Sequence, residues 1–249
     1  MNALILAAGY ATRLYPLTLN KAKPLLEVAG KPIIQWIAEQ LIPIPSLEGI
    51  FIVTNHKFAK GFEEWAKEFH HKHSSPPLKV IDDGSTTDAD KLGAIGDIHF
   101  VVQKEALDSR PLLVVAGDNL LSKPLTEFVE YGSQHPATLA VYDVKSLEQA
   151  KKYNQLRTNP AGILTDFEEK ISTPNSTLCG IALYYFQPKA LKLLDKYVAE
   201  GNNPDQPGRF IQWLHKRLDV FTFPIRGTWY DIGSKETLEE ANKLFSGAL

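Results

Sequence analysis

The stretch LILAAGYATRLYPLTLNKAKPLLEVAGKPI, residues 4–33, decides the fold class of this chain. It begins with an apolar run that ends in Ala7-Ala8-Gly9, which is typical of a buried strand leading into a loop. In α/β proteins such loops lie at the carboxyl edge of a parallel sheet, where ligands bind. The loop carries four basic side chains: Arg13, Lys21, Lys23 and Lys31. The stretch therefore predicts a buried strand followed by a loop that binds an anion, with phosphate as the natural candidate.

Apolar runs and helical periods alternate along the first half of the chain. Strands are predicted over 3–6, 50–54, 78–81 and 112–116. Between them, apolar residues recur at helical spacing, as in Ile33, Ile37 and Leu41. The second half is predicted to have strands at 139–144, 163–167, 181–186 and 220–223, and helices near 125–134, 188–200, 207–217 and 235–246. We predict an α/β fold with a Rossmann-like, mixed but mainly parallel sheet flanked by helices, in a single domain over residues 1–249.

Length and composition limit the kinds of molecule that this protein is expected to bind. The chain has 249 residues, 44% of them hydrophobic, which is enough to form a substantial core. Its formal net charge of -2 excludes the basic surplus with which proteins bind nucleic acid or anionic membranes without specificity. The single cysteine, Cys179, excludes an internal disulfide. The sequence shows neither a basic leader nor a long apolar segment, so we expect a cytoplasmic protein with no membrane or nucleic-acid partner.

Two common phosphate-binding motifs do not fit residues 4–33. A P-loop requires Gly-Lys-Ser or Gly-Lys-Thr at the start of a helix, whereas Gly30-Lys31 is followed by Pro32. A dinucleotide fingerprint requires three glycines and an acidic residue at the end of the second strand, but that strand is predicted to end at Thr54. The loop therefore belongs to another class of phosphate-binding sequence.

Short blocks in a fixed order mark this class. Residues 4–33 contain Leu6-Ala7-Ala8-Gly9, Thr12-Arg13-Leu14, Pro16-Leu17-Thr18, Lys23-Pro24-Leu25-Leu26 and Gly30-Lys31-Pro32-Ile33. Later blocks are VVAGDN at 114–119, EEK at 168–170 and GTWYDIG at 227–233. Together they resemble the signature of the sugar-1-phosphate nucleotidylyltransferases, the pyrophosphorylases that make nucleotide sugars. The family often has glycine at the position of Ala11, so we expect a slightly stiffer loop here.

The resemblance implies roles for individual residues. Arg13 and Lys23 would be catalytic: Arg13 would bind the departing β and γ phosphates of a nucleoside triphosphate, and Lys23 would lie near the reacting phosphates. Asp118 and Asp231 would hold Mg²⁺. The residues implied for nucleotide binding are Leu6, Ala7, Ala8, Gly9, Thr12, Gly84 and Gly93. Those implied for the sugar phosphate are Asn154, Glu169, Lys170 and Gly180.

The implied reaction transfers a nucleoside monophosphate from UTP or dTTP to a hexose 1-phosphate, with release of pyrophosphate. The attacking phosphate oxygen is already ionised at neutral pH, so no general base is required. Charge repulsion is the obstacle, and cations with backbone donors would overcome it. We expect a nucleotide-binding half over about 1–120 and a sugar-phosphate-binding half over about 121–249, and homo-oligomerisation stays open.

Two departures from the family pattern keep the acceptor open. Ile171 follows Lys170 where the family commonly has proline, and Asn154 stands where many relatives have glycine. A cytidylyltransferase acting on phosphocholine is the nearest alternative enzyme, and a non-catalytic subunit that binds nucleotide sugars is the alternative from another class. A metal-dependent glycosyltransferase would share the general fold, but the block with Arg13 and Lys23 argues against it.

Overall fold

A computed structural model describes residues 1–73, 76–169 and 172–247 as an α/β fold. Its strands are β1 (Asn2–Leu6), β2 (Glu27–Val28), β3 (Lys31–Pro32), β4 (Gly49–Thr54), β5 (Leu78–Asp82), β6 (Leu112–Ala116), β7 (Asn119–Leu121), β8 (Ala137–Asp143), β9 (Gln155–Thr158), β10 (Leu164–Glu168), β11 (Leu178–Phe186), β12 (Phe221–Pro224) and β13 (Trp229–Asp231). Its α-helices are α1 (Ile33–Leu41), α2 (Ala59–Lys72), α3 (Ala94–Lys104), α4 (Thr126–Ser133), α5 (Leu147–Ala150), α6 (Pro188–Ala199), α7 (Pro207–Leu214) and α8 (Lys235–Ser246).

The main sheet has seven strands in the order β12-β8-β11-β6-β1-β4-β5. Strands β1, β4 and β5 pair in parallel, with Leu4 opposite Phe51 and Ile52 opposite Val80. Strand β12 is also parallel to β8, whereas β11 is antiparallel to β8. This mixed, mainly parallel sheet confirms the predicted Rossmann-like α/β class.

The chain divides into two compact units. Unit 1 comprises Met1–Gly93, Val115–Thr126 and Gly227–Leu249, and unit 2 comprises Ala94–Val114 and Glu127–Arg226. Unit 1 is therefore assembled from three separate stretches of sequence, the last of which supplies β13 and α8.

The core of unit 1 forms around β1 and α1. Leu4 and Ile5 are fully buried, because a parallel strand covered on both faces is apolar at nearly every position. On α1, Trp36 donates from its indole nitrogen to the Val28 carbonyl (3.0 Å) and meets Phe245 of α8 edge to face, with ring centroids 5.3 Å apart. The contact between Trp36 and Phe245 fixes the C-terminal stretch within unit 1.

An aromatic cluster fixes α6 and α7 within unit 2. Phe210 of α7 meets Phe186 of β11 and Tyr197 of α6 edge to face, at centroid distances of 5.6 and 5.4 Å. All three side chains are 2% exposed. Because Phe210 is buried between these rings, the first turn of α7 has a fixed position in unit 2.

The observed secondary structure differs from the predicted one mainly in its short elements. The strands β2, β3, β7, β9 and β13 and the helix α5 were not predicted, and α7 ends at Leu214 rather than near residue 217. A strand of three or four residues shows too little alternation to be recognised in sequence. In the part of the chain that the structure describes, no helix is long and apolar enough to cross a membrane.

Candidate active site

The loop after β1 is joined to two other strands by backbone hydrogen bonds. Gly117 N, just after β6, donates to the Leu6 carbonyl (2.8 Å), and Ala7 N donates to the Val53 carbonyl of β4 (2.8 Å). A Cβ at position 117 would lie 2.7 Å from the Leu6 carbonyl oxygen, so only glycine permits this approach. The backbone at the start of the predicted nucleotide-binding loop is therefore fixed from both sides.

A buried asparagine holds the next residue of this loop. Asn55 Nδ2 donates to the Ala8 carbonyl (2.8 Å), while Asn55 Oδ1 accepts from Phe58 N (3.2 Å). Gly9 is exposed, and among the described residues no heavy atom lies within 4 Å of the position a Cβ would take there. The backbone of the loop at Gly9 is therefore accessible at the edge of the sheet. The sequence analysis did not assign Asn55 to the site, although it directly follows a buried strand.

Ala11 begins the turn that carries Arg13. Its backbone lies in the left-handed region (φ 48°, ψ 44°), which favours glycine. Its carbonyl accepts hydrogen bonds from Thr18 Oγ1 (2.8 Å) and Leu14 N (3.0 Å). The following 3-10 turn, Thr12–Leu14, buries Leu14 and leaves Thr12 and Arg13 exposed. Hydrogen bonds thus hold the backbone of this turn, and the Arg13 side chain stays exposed.

Lys23 joins two segments that are distant in sequence. Its Nζ donates to Asp118 Oδ2 at 2.5 Å and to the Ile232 carbonyl at 2.9 Å. The Lys23 side chain is 15% exposed and that of Asp118 is 27% exposed, so a ligand can still reach both. Burial acts to raise the pKa of Asp118, but the Lys23 charge and hydrogen bond, with that of Asn119, hold the pKa below its ordinary value.

Asp231 joins this group because β13 pairs with β7. The pairing is antiparallel and places Asp231 opposite Asn119, which directly follows Asp118. Burial and the neighbouring Asp118 charge raise the pKa of Asp231 to about 6, against the opposing charges of Lys23 and Arg13. Asp118, Asp231 and Lys23 therefore lie together in unit 1, and the charge of Arg13 reaches Asp231.

Asn119 and Trp229 position the two carboxylates, and the sequence analysis assigned neither to the site. Asn119 is 4% exposed, and its Nδ2 donates to Asp118 Oδ1 (2.9 Å). Its Oδ1 accepts a hydrogen bond from Trp229 Nε1. This side-chain bond links the residue after Asp118 to the strand that carries Asp231. The signal in the sequence was the asparagine directly after the predicted metal-binding Asp118 and the tryptophan two positions before Asp231.

The polar loop after β5 contains Gly84, and Gly93 ends the segment that follows. Both glycines have positive φ values, 81° and 79°, which residues other than glycine rarely adopt. Within the loop, Asp90 accepts hydrogen bonds from the backbone N–H groups and hydroxyls of Thr86 and Thr87, and these bonds lower its pKa to about 2. The loop is therefore ordered by its own carboxylates.

Asn154 and Gly180, both predicted for the sugar phosphate, contact each other in unit 2. Asn154 Nδ2 donates to the Gly180 carbonyl (2.9 Å), and Gly180 N donates to Asn154 Oδ1 (2.6 Å). The side-chain amide thus pairs with the backbone of β11 as a neighbouring strand would. A Cβ at position 180 would lie 3.0 Å from Leu139 Cδ2 and 3.2 Å from Asn154 Oδ1, so glycine suits this contact.

Glu169 follows β10 and lies against the first turn of α7. Its Oε1 is 1.6 Å from the position that a Cβ at Gly208 would occupy. Burial, and after it the charge of Glu169, raises the pKa of Tyr184 on β11. Lys170, predicted to bind the sugar phosphate, lies outside the described residues.

The fold and these side chains define a class of protein. The open loop after β1, the exposed arginine behind it and the lysine paired with Asp118 near a second carboxylate fit an α/β protein that handles nucleotides and phosphates. Residues 2–246 match the family model described as nucleotidyl transferase, and the chain belongs to this family. The family match confirms the resemblance seen in the sequence.

Named relatives differ in base and in sugar. The chain is 28% identical to the bifunctional protein GlmU of Methanocaldococcus jannaschii, over 98% of this chain and 54% of that protein. It is 26% identical to the catalytic subunit beta of mannose-1-phosphate guanylyltransferase of Drosophila melanogaster, over 93% of this chain and 59% of that protein. It is 29% identical to UTP–glucose-1-phosphate uridylyltransferase 1 of Streptococcus pyogenes serotype M3, over 94% of this chain and 84% of that protein. The chain thus spans little more than half the length of the first two.

Solved structures show the same fold. A UDP-glucose pyrophosphorylase complexed with UDP-glucose superposes with a TM-score of 0.82 at 22% identity, over 100% of this chain and 99% of that one. A putative glucose-1-phosphate thymidylyltransferase from Bacillus anthracis, in complex with a sucrose, superposes with a TM-score of 0.80 at 21% identity, over 99% and 95%. At this level of identity, the likeness establishes the fold alone.

Proposed function

We propose that this protein is a sugar-1-phosphate nucleotidylyltransferase, which joins a nucleoside monophosphate from a nucleoside triphosphate to a sugar 1-phosphate and releases pyrophosphate. The observation that carries the proposal is the convergence of Lys23, Asp118, Asp231 and Arg13 in unit 1. A family member that had kept only nucleotide-sugar binding would have no use for this full set. The proposal therefore favours an enzyme over a regulatory subunit.

The chemistry requires charge compensation more than proton transfer. The nucleophile is an ionised phosphate oxygen, and it must approach a second polyanion in line. Arg13, exposed on its turn, would bind the leaving pyrophosphate, and Lys23 would stabilise charge at the reacting α-phosphate. The backbone of Gly9 and its neighbours would hold the triphosphate without adding negative charge.

Asp118 and Asp231 fit a magnesium site by their chemistry. Mg²⁺ is commonly held by one or two carboxylates, with water and substrate phosphates completing the shell. Here burial, and after it the charge of Asp118, raises the pKa of Asp231 to about 6, so the two carboxylates lie within reach of each other's charge. A divalent cation between them would remove that repulsion, and when bound it would neutralise the phosphates of the substrate.

Unit 1 would then bind the nucleotide and the metal. Most of the residues proposed for these two ligands lie in the half expected over 1–120. The residues proposed for the acceptor are Asn154, Glu169, Lys170 and Gly180, all in the half expected over 121–249. We propose UTP or dTTP with a hexose 1-phosphate as the substrates; the name of the Streptococcus relative, a UTP–glucose-1-phosphate uridylyltransferase, supports UTP with a glucose phosphate. The proposed setting is the cytoplasm.

The test measures pyrophosphate release over a panel of five nucleoside triphosphates, each with several sugar 1-phosphates and with phosphocholine, in Mg²⁺. We expect release with a sugar 1-phosphate and a pyrimidine triphosphate. Release with phosphocholine and CTP alone would establish the cytidylyltransferase instead, and no release with any pair would refute the enzyme. Asp118→Asn and Asp231→Asn should each lower turnover by about a hundredfold or more, whereas the exposed Asp195→Asn should leave it unchanged.

A further inference from the structure

A glutamate carboxylate fills the place of a missing side chain at the start of α7. Glu169 Oε1 lies 1.6 Å, and its Cδ 2.7 Å, from the position that a Cβ at Gly208 would take. Ordinary contacts between a Cβ and its neighbours are longer than 3.4 Å. The carboxylate therefore occupies space that exists only because residue 208 has no side chain.

The location suits a negative charge. Gly208 is the second residue of α7, after Pro207, and N–H groups in the first turn of a helix lack partners within the helix. These N–H groups and the helix dipole attract a carboxylate to this turn. The φ of Gly208 is not in the left-handed region, so close packing and not backbone strain accounts for glycine here.

Both sides of this contact are held in place. Gly208 is buried, and its helix is fixed through Phe210, which packs on Phe186 and Tyr197. On the other side, Phe167 of β10 lies 3.3 Å from the same Cβ position and is 2% exposed. The helix and β10 are held, so a Cβ at position 208 would displace the Glu169 carboxylate, the flexible end of its side chain, from this place.

We propose that Gly208 is a positioning residue for the sugar-phosphate acceptor: by leaving room for the Glu169 carboxylate, it holds the Glu169 side chain in the form that binds the acceptor. The inference rests on the proposed function, in which Glu169 belongs to the acceptor residues. Gly208 itself touches no substrate. Its effect is confined to how Glu169 is held.

The kinetic test compares Gly208→Ala, Glu169→Ala and the double variant. Gly208→Ala should raise KM for the sugar 1-phosphate about tenfold and leave KM for the nucleoside triphosphate unchanged. Glu169→Ala should raise the same KM, and the double variant should be no worse than Glu169→Ala, because the contact is then already lost. Additive losses, or equal changes in both KM values, would overturn the proposal.

A control separates this contact from general crowding. Gly132 of α4 is also in unit 2, and a Cβ there would lie 2.7 Å from Tyr185 Cγ, far from Glu169 in sequence. Gly132→Ala should lower the melting temperature without a selective change in the acceptor KM. A selective change in this control as well would show that the acceptor KM reports unit 2 stability, and would refute the role of Gly208.

A second readout does not depend on activity. Gly208→Ala should lower the melting temperature of the wild-type chain by about 5 °C, since overpacking of a buried site is costly. In the Glu169→Ala background the same change should raise it, because alanine is the better helix former. If this reversal is seen but no substrate pair reacts, the contact stands and the proposed function fails. If no reversal is seen, the contact itself is wrong.

Discussion

Replacing Lys23 by methionine removes the cation that pairs with Asp118 in unit 1. Lys23 Nζ lies 2.5 Å from Asp118 Oδ2, and at an effective dielectric constant of about 20 the gross attraction is roughly 6 kcal/mol. Part of this is offset by the desolvation of two groups that are only 15% and 27% exposed. We expect the metal-free variant to lose about 3 kcal/mol of unfolding free energy at pH 7.5.

Protonation sets an upper limit on this loss. An unpaired carboxylate can take up a proton, at a cost of about 1.36 kcal/mol for each pH unit above its ordinary pKa of 3.8. The limit is therefore about 5 kcal/mol at pH 7.5 and about 1.6 kcal/mol at pH 5. The destabilisation caused by Lys23→Met should shrink accordingly when the pH is lowered.

The assay is urea unfolding at pH 7.5 and pH 5, with EDTA or with Mg²⁺. If Asp118 and Asp231 bind the cation, Mg²⁺ should restore more stability to Lys23→Met than it adds to the wild type, since the cation replaces the lost ammonium. Lys31→Met is the matched control: Lys31 pairs with Glu39 at 2.6 Å, and the two side chains are 20% and 27% exposed. Mg²⁺ should not rescue this control.

Two results would refute the reasoning on Lys23. An equal loss at pH 5 and pH 7.5 would mean that the destabilisation does not come from an unpaired carboxylate. Equal stabilisation of both lysine variants by Mg²⁺ would mean that the cation does not bind at the carboxylate pair.

Three further predictions concern pH, packing and the acceptor. Burial and the Asp118 charge raise the pKa of Asp231 to about 6, so protonation of this carboxyl favours the folded state. As the pH falls from 7.5 to 5, Mg²⁺-dependent kcat/KM should drop, and the metal-free wild type should gain stability to urea relative to Asp231→Asn; a flat pH profile of this difference would contradict the prediction. Gly117→Ala should lower the melting temperature by about 5 °C and reduce kcat, because its Cβ would lie 2.7 Å from the Leu6 carbonyl oxygen; thermal unfolding and steady-state kinetics test it. Asn154→Ala should raise the acceptor KM at unchanged nucleotide KM, because the Gly180 backbone loses two hydrogen bonds; equal shifts in both constants would argue against its role.

The parallel half of the sheet could be predicted from the sequence. The apolar runs of β1, β4 and β6 are buried on both faces, and a run of this kind identifies a strand without knowledge of its partners. The loop after β1 could be predicted for the same reason, since Gly9 and the basic residues behind it directly follow the buried run. The family match has confirmed the class of protein that this loop indicated.

The supports of the candidate site could not be predicted in this way. The pairing of Asp231 with Asn119 depends on two strands of three residues, which carry no recognisable period. The position of the Glu169 carboxylate depends on the space left at Gly208, and only the packing of α7 reveals that space. The roles of Arg13 and Lys23 and of the acceptor residues stay predictions, which substrate assays can test.

The late position of β13 also affects the order of events while the chain is being made. Asn119 and Trp229 are 110 positions apart, so β7 waits for its partner strand until nearly all of unit 2 has left the ribosome. Pairs this distant in sequence form slowly, because a long loop must close first. A nascent chain that holds Lys23 and Asp118 alone therefore has a neutralised carboxylate and lacks Asp231. If these two aspartates hold the cation, as proposed, the site would be complete only when the last segment of unit 1 has docked.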